Sequence, residues 1–93
     1  MTPIQLPMDF SNYPLTGGEM FGWFDDTKGR EVAEKIRWGA EAYRNKCGYW
    51  PTFVLCSMGD IGPLSLVCDG PRCINVRAAG HIRPNTFQFG REL

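Results

Sequence analysis

Four cysteines and one histidine are the side chains best suited to chemistry in this chain: Cys47, Cys56, Cys68, Cys73 and His81. Zinc takes thiolate and imidazole ligands in a tetrahedral set, and Cys56, Cys68, Cys73 and His81 have the right types for one. Their spacing argues against it. There is no C-x₂-C knuckle, and the C-x₄-C of Cys68 and Cys73 is at the permissive end of what metal sites use. Thiols in apolar surroundings act as small hydrophobes. Cys68 and Cys73 face each other across a turn, so a disulfide forms if conditions are oxidising. The reduced state is the simplest expectation, and no metal or cofactor is called for.

Acid–base or nucleophilic catalysis through His81 needs a nucleophile and an orienting carboxylate beside it. Ser57, Cys56 and Asp60 lie in a preceding segment, but spacing alone does not bring them to His81. Gly59-Asp60-Ile61-Gly62 spells GxxG, which clamps nucleic-acid backbones only when it joins two helices, usually around a basic residue. Here it joins two strand-like runs and carries Asp60. Dinucleotide, Walker and zinc-protease signatures are absent. Arg72, Arg77 and Arg83 with Phe87 and Phe89 would make a basic, stacking surface. Two phenylalanines on one face of a short strand read more simply as core. With 10 basic and 10 acidic residues, a nucleic-acid partner has no net electrostatic drive.

The aromatic residues carry the strongest signal. They make up 13% of the chain, with Trp23, Trp38 and Trp50 among them, more than a core this size encloses. Trp38 points away from the apolar stripe of its helix, among Glu31, Glu34, Glu41 and Asn45. Large aromatics of this kind anchor interfaces. The predicted interface is Trp38 with Glu34 and Glu41, together with Leu6, Met8 and Phe10 of an N-terminal arm from the same chain or a second copy. The alternative is a small-ligand site in an apolar cleft between helix and sheet, lined by Trp23, Tyr43, Trp50 and Phe53.

The elements that position these residues follow from periodicity. From Asp26 to Cys47, apolar residues keep helical spacing: Val32, Ile36, Ala40, Tyr43 and Cys47 share a face, with Ala33 and Gly39 beside it. Asp25, Asp26 and Thr27 are N-cap candidates, Gly48 is the natural C-terminal stop, and Pro51 prevents resumption. Residues 1–10 alternate, with Ile4, Leu6, Met8 and Phe10 on one side. Pro7 confines them to an edge strand or arm, and residues 1–18 are read that way. Residues 19–24 form a short strand or an aromatic plug, and Thr52 to Cys56 a central strand. Leu64 to Cys68 and Cys73 to Arg77 form a hairpin about Asp69-Gly70-Pro71-Arg72. Asn85 to Phe89 is a last strand. One helix cannot cover both faces of a sheet. The expected architecture is a single two-layer α+β domain, 1–93, with the helix (about 26–47) on a small, mainly antiparallel meander.

At 93 residues the chain has room for one modest core. The N-terminus lacks a secretory pattern and no long apolar run is present, so no membrane association and a cytoplasmic setting are expected. Residues 1–26 hold four acids and no Lys or Arg, while residues 71–93 hold four arginines and one acid. The two ends are read as neutralising each other within the fold. In its brevity, single domain and aromatic load the chain resembles small accessory proteins of bacteria, phages and mobile gene cassettes. The function expected is a non-enzymatic interaction module that self-associates, most simply as a two-fold dimer.

Overall fold

The apolar stripe centred on Ile36 winds into helix α1, Val32–Cys47, in a computed structural model that describes residues 20–92. Ile36, Gly39, Ala40 and Tyr43 are buried along it, as the helical period requires. Gly48 ends the helix in the left-handed region at φ 88°, and its N–H donates to Arg44 O at 2.8 Å. The start differs from expectation. Asp25 spends its carboxylate locally, accepting from Thr27 N at 3.0 Å, and Gly29 turns the chain at φ 83°. The N-cap is therefore Glu31, six residues beyond Asp25, with no side-chain capping bond. Also unforeseen is Lys35, buried on the core side, whose Nζ donates to Asn85 Oδ1 at 3.0 Å.

Among the described residues five strands form the sheet: β1 Phe21–Phe24, β2 Phe53–Cys56, β3 Leu66–Asp69, β4 Arg72–Ala78 and β5 Thr86–Gly90. A one-turn helix, α2 (Met58–Ile61), lies where a plain loop was expected, with the Ser57 Oγ accepting from Asp60 N. The spatial order is β1-β5-β2-β4-β3. Three pairings are antiparallel, but β2 runs parallel to β4. The sheet is thus mostly antiparallel without being a meander. β2 sits between β4 and β5, two strands that follow each other in the chain. Its composition explains the central place: Phe53, Val54, Leu55 and Cys56 are all fully buried, and only a strand covered on both faces can be apolar throughout. β3, with Val67 alone buried, takes an edge.

Helix α1 covers one face, packing on Val54, Cys56, Val67, Ile74, Phe87 and Phe89. Gly39 permits the close approach. A Cβ there would lie 2.6 Å from Phe89 Cζ and 2.8 Å from Trp23 Cδ1. The other face needs a second cover, and the connection after β4 supplies it. Ala79 and Ile82 fold back over Phe53 and Leu55, with Met20 at the margin. Ala79 N donates to Cys56 O at 3.0 Å, fixing that return. Arg77 lies over the Phe53 ring at 5.0 Å and forms a paired contact with Glu92 at 2.8 and 3.0 Å. No helix among the described residues is long and apolar enough to cross a membrane. The arm expected over residues 1–18 lies outside the described residues.

Candidate functional site

Trp38 stands on the outer side of α1, 53% exposed, on a helix whose opposite side is locked into the core. It is held rather than loose. The Arg30 guanidinium lies 4.6 Å from its ring centre, close enough for a cation–π contact. Arg30 is fixed in turn by Asp25, Nη1 to Oδ2 at 2.9 Å. Hydrogen bonds from Thr27, first its hydroxyl and then its backbone N–H, with help from Arg30, bring the Asp25 carboxyl from the ordinary 3.8 down to about 2 against the effect of burial. Asp25, Arg30 and Trp38 therefore form a chain of contacts leading from the end of β1 to the helix surface.

Beside Trp38 is a surface depression of about 280 Å³ lined by Arg37, Trp38 and Glu41 of α1 and by Asp69 of β3. Arg37 crosses it, its Nε donating to Cys68 O at 3.3 Å. The depression thus joins the helix to β3, one of the two edge strands among the described residues. Glu34 is exposed one turn before Trp38 and completes the same surface. The structure brings together Trp38, Glu34 and Glu41; Leu6, Met8 and Phe10 lie outside the described residues. Arg30, Arg37 and Asp69 were not foreseen. Arg30 precedes the helix and Asp69 arrives from a hairpin, so no spacing in the sequence links either to Trp38.

Of the four residues of the expected cleft, Trp23, Tyr43 and Trp50 pack on the helix side of the core and Phe53 does not. Trp23 packs against Phe89 on the helix side, and Tyr43 is buried there, 5.9 Å from the Phe21 and Tyr49 rings. Trp50 is half-buried under the Arg72 guanidinium at 5.0 Å. Phe53 is on the opposite face of the sheet, beneath Arg77. Period two fixes Phe53 as facing away from Val54, and it is Val54 that meets the helix. A second surface hollow, about 240 Å³, is lined by Met20, Phe21, Gly22, Lys46 and Cys47 and by none of the four.

Cys68 and Cys73 are joined in a disulfide, where free thiols were expected. The hairpin register places them directly opposite, with Cα atoms 4.0 Å apart, and both are exposed. Such narrow cross-strand pairs are the ones whose side chains approach most closely. The bond also takes two thiolates out of the Cys₃His set. Cys56 is fully buried, and burial, then the Asp60 charge, pushes its thiol up to about 11, the reverse of an activated nucleophile. Ser57 caps α2, and Asp60 Oδ2 accepts from Asn85 N at 2.7 Å. Of the suggested nucleic-acid surface, Phe87 and Phe89 are core and Arg77 is bound to Glu92. Comparison with family models, with curated proteins and with solved structures finds no match for this chain.

Proposed function

We propose that this chain is a small, non-enzymatic interaction module that self-associates as a two-fold dimer through the Trp38 face. The observation that carries the reading is a large aromatic ring left half in water on a rigid helix and steadied by Arg30. A ring held in one orientation before contact loses little further freedom on binding. Around it the charges are of both signs: Arg30 and Arg37 against Glu34, Glu41 and Asp69. A two-fold axis sets a patch against its own copy, so only a patch with both signs can pair favourably with itself. A single-sign rim would repel its copy.

The chemistry nearby supports a binding role over a catalytic one. The polar groups that might have served a reaction, Ser57 and Asp60, are committed to capping and to Asn85. The filled contact between α1 and the sheet at Gly39 argues against a ligand cleft there. The exposed Cys68–Cys73 disulfide is of the kind that persists best in oxidising surroundings.

Native mass spectrometry and sedimentation test the reading. Wild-type protein is expected to show twice the chain mass, and Trp38→Ala the single mass. Because Trp38 is 53% exposed and is not a member of the buried core cluster, its removal should leave the monomer folded, costing about 1 kcal/mol with the loss of the Arg30 contact. A wild-type protein that stays monomeric at every workable concentration overturns the proposal.

A further inference from the structure

The edge strand β3 shows how two copies would meet. We infer that the dimer forms by antiparallel pairing of β3 with β3 of a second copy, extending the sheet across its free edge. This rests on the reading of the chain as a self-associating module and names the element that joins the copies.

Among the described residues, the spatial order leaves β3 with a neighbour on one side only, β4. In an antiparallel ladder, wide pairs that exchange hydrogen bonds alternate with narrow pairs that do not. Cys68 and Cys73, with Cα atoms 4.0 Å apart, are a narrow pair. Val76 N donates to Ser65 O at 3.0 Å, so Ser65 belongs to a bonded pair. The alternation then sends the backbone groups of Val67 and Asp69 toward β4, and those of Leu66 and Cys68 outward. The Arg37 bond to Cys68 O shows the outward direction directly. That carbonyl has a second lone pair. Among the described residues, no group bonds the outward N–H of Leu66 or Cys68 or the C=O of Leu66.

A two-fold axis through Val67, perpendicular to the sheet, sets Leu66 opposite Cys68 of the copy and Cys68 opposite its Leu66. Each of these is a bonded pair, giving four backbone hydrogen bonds from two residues per chain. The same axis keeps both α1 helices on one face of the joined sheet. Since the depression beside Trp38 runs from α1 to Asp69 of β3, the two depressions come together over the seam. There, Arg37 of one chain can meet Glu41 or Asp69 of the other. Leu66, 49% exposed on the opposite face, gains cover from its copy. The strand is otherwise guarded against promiscuous pairing, being four residues long, charged at Asp69 and partly capped by Arg37. So short an edge binds an arbitrary strand weakly; a second copy adds the helix face.

Leu66→Pro isolates the edge, because the N–H it removes faces away from β4 and proline is tolerated at such positions. The expected result is a single-chain mass with circular dichroism unchanged. Amide hydrogen exchange on the wild type is the second measurement. The Leu66 and Cys68 amides should exchange at least about tenfold more slowly in concentrated dimer than in dilute monomer. If Leu66→Pro does not fold, the exchange result decides alone. If Trp38→Ala separates the copies while Leu66→Pro stays dimeric and both amides exchange equally at the two concentrations, β3 pairing is overturned and the Trp38 face stands. A monomeric wild type overturns both.

Discussion

Asp25 sits where the chain leaves β1, and both its amide and its carboxylate are engaged. Its N–H donates to Asn85 O at 2.9 Å, while its carboxylate accepts from Thr27 and Arg30. These partners favour the charged form, which is why its titration lies at about 2 instead of 3.8. A carboxyl depressed in the folded state stabilises the fold fully above its unfolded value and loses that effect as pH falls through the folded one. The stabilisation is therefore whole above about pH 4 and drains away toward pH 2. Melting temperature followed by circular dichroism should fall over that window, Glu92 adding to the loss because Arg77 holds it below the usual carboxylate range. Asp25→Asn should cost about 1–2 kcal/mol at neutral pH and flatten part of the acid slope. A slope unchanged by Asp25→Asn would remove Asp25 from this account. Protonation also releases Arg30, so the same acid window should unsettle the Trp38 ring.

At the scale of elements, Gly39 decides how close helix and sheet lie. Alanine normally favours a helix by about 1 kcal/mol over glycine. Here its methyl group would enter the Phe89 ring, which is fully buried and has nowhere to go. Overpacking costs about 1–3 kcal/mol, so Gly39→Ala should lose about 1 kcal/mol net in a urea titration instead of gaining one. A stabilised variant would show that the contact relaxes freely. The helix stripe and its end at Gly48 were legible in the sequence because both depend on residues a few positions apart. The start was not, since Asp25 makes an equally good turn with Thr27 as it would a cap. β2 as the central strand followed from its unbroken apolar run, and the Cys68–Cys73 juxtaposition from the hairpin. The bond between them did not follow, because spacing sets proximity and not oxidation. Trp38 was legible as an outward residue. Its companions Arg30 and Asp69 were not, since they reach it only through tertiary folding. Asn85, at φ 65°, is the clearest omission: it accepts from Lys35 and Asp25 and donates to Asp60, joining three separate segments.

At the scale of the whole molecule, the ion pairs of Asp25 and Glu92 are local, while Asp9 and Glu19, two of the four acids of residues 1–26, lie outside the described residues. Asp25 pairs with nearby Arg30, and Glu92 with Arg77 of the same C-terminal third. What ties distant parts of the chain together is the sheet. Phe53 has Asn75 on one side and Gly90 on the other, so the central strand waits for partners made much later. Non-local pairing of this kind slows folding. During synthesis β2 leaves the ribosome early and stays without either neighbour until β4 and then β5 follow. A wholly apolar strand with two open edges is the most adhesive form this sequence can take. Chains truncated before Thr86 should therefore collect in the insoluble fraction on expression, while the full chain stays in solution. The interval between the emergence of Cys56 and that of Gly90 is thus the period of greatest hazard for the nascent protein, and slowing translation there should lower its yield.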